Sequence, residues 1–340
     1  MTQTDEHLDY VDKIKALACV LVVLGHFVMS MDASNILPFN SVTYWLKETI
    51  YLFHVQLFFL CSGFLYSLTQ SKDDSYNYGK FVLKKLVALG IPYFTFTTAT
   101  VLMKMIAGDS VNTQADGLLY TLFIEPTAPY WYLYVLFFLF AVIPPLKSRK
   151  LLCILTVISL VLKFTMIFNL LESVNLPYFV TGIMNYSIWF ILGMWISSTQ
   201  LTYGKKGLIL GSLSLVVFFA LSILRCYFSI EDNRLFAFIL GVIALVGIYL
   251  VFSSTKLKSG KITNILIKYN LPIYLMHTIF AAGIRVILFK LGITQWYIHI
   301  PVGIIATFAG PVIAAFIMNK TKYLEFFIYP LKLIKLPRSK

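Results

Sequence analysis

The sequence predicts an all-α, polytopic membrane bundle of about ten transmembrane helices. Three observations carry this. Of the 340 residues, 59% are hydrophobic and only 13% are charged. With a mean hydropathy of +0.81, that is more apolar side chain than a water-soluble core can hide. The apolar residues come in long unbroken runs, not in the alternation of a membrane β-barrel. Lysine and arginine gather in the short segments between those runs, as membrane orientation requires.

A helical span needs about 20 apolar residues. Runs of that kind lie at roughly 14–31, 48–69, 81–106, 130–146, 151–169, 178–198, 206–226, 235–253, 270–290 and 298–319. The fourth is short and ends at Pro144-Pro145. With the N-terminus placed in the cytoplasm, the inner segments hold 21 Lys and Arg, among them Lys72, Lys147, Lys256 and the tail from Lys320; the outer ones hold six, and Lys163 falls inside a span. Both termini are therefore expected to be cytoplasmic, in a cell (inner or plasma) membrane. The chain reads as one domain over 1–340, a helical core at 12–319 followed by a basic tail at 320–340. Met1 to Asp12 is polar and acidic, unlike a cleavable signal peptide, so the first run is expected to be retained. The longest outer connection, about 107–129, contains GLLYTLFIE, too short to span and suited to a re-entrant or interfacial segment.

The net charge of +13 does not imply nucleic-acid binding, because no compact basic domain carries it. The four cysteines, Cys19, Cys61, Cys153 and Cys226, are scattered, and the histidines lack metal-ligand spacing. Neither a disulfide framework nor a metal site is expected, and the phosphate-loop and hydrolase motifs are missing.

Ionisable residues inside a bilayer are costly and mark candidate sites. Lys15 and His26 stand eleven residues apart in VDKIKALACVLVVLGHF, about three turns, so they share one helix face and differ in depth by roughly 16 Å. Lys15 is expected at the cytoplasmic rim, paired with Asp12 one turn earlier. His26 is expected near the midplane, neutral and able to accept a proton. An alternative reading is a snorkelling lysine and a histidine satisfied by a neighbouring helix. In YLFHVQLFFLCSGFLYS, His54 lies near the outer end and is equally an interfacial histidine. Ser62-Gly63 lie deeper, read first as a packing notch with a slight kink and second as a site. The cations of KFVLKKLVALGIPY, Lys84 and Lys85 among them, either signal orientation or bind phosphate at the inner face. YWYLYVLFF, with Trp131, reads first as an interfacial aromatic belt and second as a sugar-stacking surface. In NLPIYLMHTIF, Tyr274, His277 and the later Arg285 fall on one side of a helix, which should face protein or water. Lys163 and Arg225 are either substrate contacts or structural pairs.

Together these pieces resemble the acyltransferase 3 family of integral membrane acyltransferases. YVDKIKALACVLVVLGHF resembles its first-helix pattern of an aspartate, a basic residue three later and a histidine eleven after that. FHVQLFFLCSGFL, WYLYVLFF and LPIYLMH resemble its later elements, in order, over about 12–280. FHVQLFF is similar to the branch that includes fucose 4-O-acetylase-like and intercellular-adhesion polysaccharide modification proteins. The resemblance implies O-acylation, O-acetylation above all, of a cell-surface or lipid-linked glycan of the cell envelope. The donor would be cytoplasmic acyl-CoA, acetyl-CoA in the first instance, as co-substrate with no permanently bound cofactor. It implies His26 and Lys15 as catalytic residues, and Lys84 and Lys85 as donor-binding ones. Asp12, His54, Ser62, Trp131, Tyr274, His277 and Arg285 would serve the substrate. The expected partners are membrane lipid and polysaccharide synthesis machinery. Two departures stand out. Lys15 replaces an arginine and so lacks the bidentate fork, and the family's Arg-x-x-Arg before the third-helix proline corresponds to Lys85 and Ala88. A glycan or small-solute transporter or flippase is the alternative from another class, and a scaffold within a synthase complex is a third.

Overall fold

The computed structural model describes residues 3–37, 40–70, 77–108, 111–114, 116–146, 148–199, 203–255 and 258–334, and all regular structure among them is helical. Lys72, Lys147, Lys256 and the end of the basic tail, from Lys335, lie outside the described residues. The helices are α1 (Gln3–Asp32), α2 (Ser41–Tyr51), α3 (His54–Gln70), α4 (Tyr78–Lys85), α5 (Ile91–Ala107), α6 (Leu118–Phe123), α7 (Trp131–Val142) and α8 (Arg149–Ile167). They continue with α9 (Tyr178–Thr199), α10 (Gly204–Tyr227), α11 (Arg234–Ser254), α12 (Lys261–Lys268), α13 (Asn270–Lys290), α14 (Trp296–Met318) and α15 (Lys322–Glu325). Among the described residues nine stretches are long and apolar enough to cross a membrane, so the chain is a multi-pass membrane protein.

Burial sorts these helices into inner and outer ones. The α2–α3 stretch has 72% of its apolar window buried and α8 only 17%, so α2–α3 is enclosed and α8 offers most of its surface to lipid. The core gathers around α1, α3, α9 and α13. The tightest pairing, α3 on α9, rests on two glycines. A Cβ at Gly63 would overlap the Phe190 carbonyl, and one at Gly193 would overlap the Leu60 carbonyl. Each helix thus presents a missing side chain to the other's backbone, the close approach that small residues permit in membranes. The notch expected at Ser62-Gly63 is present, but α3 runs through it unbroken.

The interruption in this span falls earlier. Leu52 and Phe53 donate to the carbonyls of Thr49 and Ile50, three residues back, at 3.2 and 3.3 Å. This tightened turn separates α2 from α3 and brings Tyr51 and His54 round to the same neighbourhood. A second irregularity is the π-turn Leu86–Gly90 between α4 and α5. Pro92 lacks the N–H that an α-helix would aim at Ala88, and a wider turn is one way to absorb that loss.

The fourth expected span differs most. Its helix, α7, has 12 residues, about 18 Å at 1.5 Å per residue, short of a core of about 30 Å. Pro144 and Pro145 cannot continue it. The chain nevertheless passes between faces here. Asn112 donates to the Ser30 carbonyl near the end of α1, while the Tyr78 hydroxyl, at the start of α4, donates to the carbonyls of Phe140 and Ala141. The crossing is made by α6, a turn and α7 together, and α7 lies in the core. Irregular backbone at this depth is tolerated because protein surrounds it.

Polar ties fix the two rims. Asn270 donates to the Lys15 carbonyl at 3.0 Å and joins the start of α13 to α1. At the opposite rim Arg285 bonds Ser30. There too Arg225 pairs with Glu48 at 3.3 Å and bonds the Glu231 carbonyl, and Trp45 donates to Ser222. Arg225 is therefore a structural pair between α10 and α2. The short turn Pro330–Lys332 packs against the π-turn, on the face where Lys15 lies.

Candidate active site

Helix α1 carries Lys15 and His26 on one side, and α2 and α13 close over His26. Gly25 lets α2 approach. A Cβ there would stand 3.2 Å from Ile50 and 3.3 Å from the Tyr51 ring. The His26 ring sits edge-on to Tyr51 at 6.4 Å between centroids and tilted against His277 of α13 at 5.3 Å. Tyr51 in turn packs edge-on to His54 at 4.7 Å. Three histidines from three segments thus form one cluster, with His26 and His54 against Tyr51 and His277 against His26.

The hydrogen bonds distinguish these imidazoles. His54 Nδ1 lies 2.8 Å from the Ile50 carbonyl. His277 Nδ1 lies 2.8 and 3.1 Å from the carbonyls of Tyr274 and Ile273. A carbonyl only accepts, so Nδ1 carries the proton in both rings and Nε2 keeps its lone pair. His277 is fully buried and its Nε2 has no partner among the described residues. His26 is only partly enclosed, and among the described residues its ring packs against Tyr51 and His277 and makes no hydrogen bond. It is the histidine left open to react. Among the described residues no three His, Cys, Asp or Glu side chains group as metal ligands.

Toward the Lys15 rim the wall continues through aromatic hydroxyls. Tyr274 packs 6.4 Å from His277 and donates to the Pro129 carbonyl, while the Tyr130 hydroxyl donates back to the Leu275 carbonyl at 2.9 Å. Tyr132 lies 5.8 Å from Tyr274, and its hydroxyl meets Ser62 Oγ at 3.0 Å. Trp131 is half-buried against Tyr186 at 5.1 Å. Tyr130 and Tyr132 are both buried, which overturns the interfacial-belt reading. The cluster opens a short inner helix, and its hydroxyls find backbone partners there and not headgroups.

At the rim Lys15 pairs with Asp12 at 3.7 Å and keeps a third of its side chain exposed. Lys85 lies over the rings of Phe140 and Phe81 at 4.2 and 5.2 Å, which holds its ammonium by cation–π attraction, within electrostatic range of Lys84 and Lys15. Ala88 falls in the π-turn beside them. The structure therefore gathers His26, His54, His277 and Tyr274, and separately Asp12, Lys15, Lys84 and Lys85. Ser62 and Trp131 join the wall between. Arg285 stands apart, holding the end of α1 through Ser30. Sequence reasoning passed over Tyr51, although its position three before His54 was a helical-face signal that the α2–α3 turn obscures.

The acyltransferase domain family model matches residues 8–316, nearly the whole chain. No curated protein and no solved structure matches it.

Proposed function

The chain belongs to the acyltransferase 3 family of membrane acyltransferases, and from that premise we propose that it transfers an acyl group, acetyl in the first instance, from cytoplasmic acyl-CoA to a hydroxyl of a cell-surface or lipid-linked glycan. The observation that carries this reading is the pairing on α1 of a rim cation, Lys15, with an interior histidine, His26, whose nitrogens bond no described residue. The excess of Lys and Arg on the Lys15 face supports a cytoplasmic placement of that face, in a cell membrane with outer loops toward the glycan. CoA is anionic and does not cross lipid unaided, so its phosphates stay with Lys15, Lys84 and Lys85. Its pantetheine arm, long and narrow, carries the thioester along the Ser62–Tyr132–Tyr274 wall over the roughly 16 Å of helix rise to His26.

There His26 acts as general base. It takes the proton of the acceptor hydroxyl as the oxygen attacks the thioester carbonyl. The carbon–sulfur bond breaks, and the CoA thiolate leaves and receives that proton from the imidazolium. His277, whose ring packs tilted against His26 at 5.3 Å between centroids, orients the imidazole by contact, the base-and-orienter logic of nucleophile activation. Mass spectrometry of surface polysaccharide from cells with and without the protein tests the reaction. An acyl group that disappears with the protein supports it; identical spectra refute it.

Lys15 gives a separate expectation. Lys15→Ala should raise KM for acyl-CoA by about tenfold, the loss of one charge-assisted contact, with kcat little changed. Lys15→Arg, which restores the fork, should lower KM. Steady-state kinetics of the purified protein read both, and an unchanged KM in Lys15→Ala would remove this residue from the donor site.

A further inference from the structure

A cavity of about 350 Å³ opens beside Tyr51, lined by Tyr51, Gln56, Lys163, Asn185, Trp189 and Arg234, with apolar residues between them. Its size lies in the range of small-molecule sites. Two features set it apart. Its wall carries three polar atoms without partners among the described residues: the Tyr51 hydroxyl, Gln56 Oε1 and Trp189 Nε1. Trp189 is 1% exposed, so its N–H cannot turn to water, and an orphaned donor at that depth is costly. The cavity also holds two cations with no acid beside them. Lys163 Nζ bonds Asn185 Oδ1 at 3.1 Å, and Arg234 bonds the Met166 carbonyl and Asn169 Oδ1. Neither forms an ion pair with any described carboxylate. A cation inside a span without a counter-charge, as Lys163 is, points to an anionic ligand, and Arg234 adds a second positive charge at the exposed mouth.

We propose that this cavity binds the acyl acceptor and that the acceptor is an anionic sugar, one bearing a carboxylate or a phosphate. Lys163 and Arg234 take its charge. Tyr51, Gln56 and Trp189 take its hydroxyls, with two donor-capable groups and one acceptor matching what a sugar ring offers. Tyr51 belongs both to this wall and to the His26 cluster, so a sugar held here presents a hydroxyl on the side where the proposed base lies. The assignment of this ligand as acceptor rests on the acyl-transfer reading; the binding itself does not.

The test is equilibrium binding to the purified full-length protein in detergent, with glucuronic acid, glucose 1-phosphate, glucose and inorganic phosphate as probes. One or both charged sugars should bind about tenfold or more tighter than glucose and than phosphate alone, since charge-assisted hydrogen bonds and hydroxyl contacts are both needed. The tighter of the two distinguishes carboxylate from phosphate. Arg234→Gln, at the exposed mouth, and Lys163→Gln should each weaken that binding by about tenfold. Equal binding of glucose, phosphate binding as tightly as its sugar ester, or an unaltered affinity in a well-folded Arg234→Gln would overturn the proposal. So would competition from acetyl-CoA that Lys163→Gln relieves, because the cavity would then be the donor's. Charged-sugar binding without any acyl transfer would leave the cavity standing and overturn the reaction instead.

Discussion

Replacing His26 with alanine should lower acyl transfer by about a thousandfold, within the range that a positioned general base contributes, while the protein still folds. The fold should survive because among the described residues His26 makes no hydrogen bond that holds helices together, only ring contacts with Tyr51 and His277. Those neighbours are anchored elsewhere, His277 by the carbonyls of its own helix. His26→Gln keeps much of the volume and loses the base, so it should be as inactive as His26→Ala. His277→Asn, which removes the ring packed against His26, should be less affected. The measurement is single-turnover transfer from labelled acetyl-CoA, with size-exclusion profile and melting temperature as the check on folding. Near-normal turnover in a well-folded His26→Ala would sink the mechanism.

Gly193→Val should abolish the folded protein. The built Cβ of residue 193 meets the Leu60 carbonyl and the backbone around Phe64, and backbone cannot swing aside as a side chain can. Overpacking a core commonly costs about 1–3 kcal/mol. Here α3 and α9 would have to separate along their length, so the loss should exceed that range and consume much of a typical stability of about 5–15 kcal/mol. Gly63→Val should do the same from the other helix, whereas valine at Gly283, which faces open space, should be tolerated. The yield of monodisperse protein after detergent extraction reads the effect. A Gly193→Val protein that melts like the parent would show that the two helices are not held at backbone contact. Because α3 carries His54 and α9 carries Trp189, this joint also sets the distance between the histidine cluster and the adjacent cavity.

The sequence made the spans and one catalytic helix legible because both are local. Span boundaries follow from composition, and α13, expected at 270–290, is found at Asn270–Lys290. The Lys15–His26 relation needs only 3.6 residues per turn, and the Asp12 pair needs the same. What failed depends on packing. Aromatic residues opening an apolar run suit a lipid interface or a protein interior equally well, and only the neighbours of Tyr130 and Tyr132 decide. Pro144-Pro145 marked where the fourth segment stops, but not that α6 and α7 share the crossing. The break at Leu52-Phe53 has no glycine or proline to announce it; it is a tertiary adjustment, and it hides Tyr51. Lys163 stood out as an intramembrane cation, but Arg234 read as a loop charge, and nothing in the spacing of residues 163 and 234 says that they face the same space.

A string of histidines and tyrosines through a bilayer has the composition of a proton wire, and a wire would drain the electrochemical gradient of any membrane that housed it. The tethered rings prevent this. To pass a proton onward, an imidazole must accept at one nitrogen and release from the other. In His54 and His277 the releasing nitrogen is committed to a main-chain carbonyl, and breaking that bond would strand a backbone acceptor in a dry interior. A proton that enters such a ring at Nε2 leaves by the same atom. The chemistry at His26 is thereby insulated from the gradient across it, and proteoliposomes containing the protein should hold an imposed pH difference as long as empty ones do.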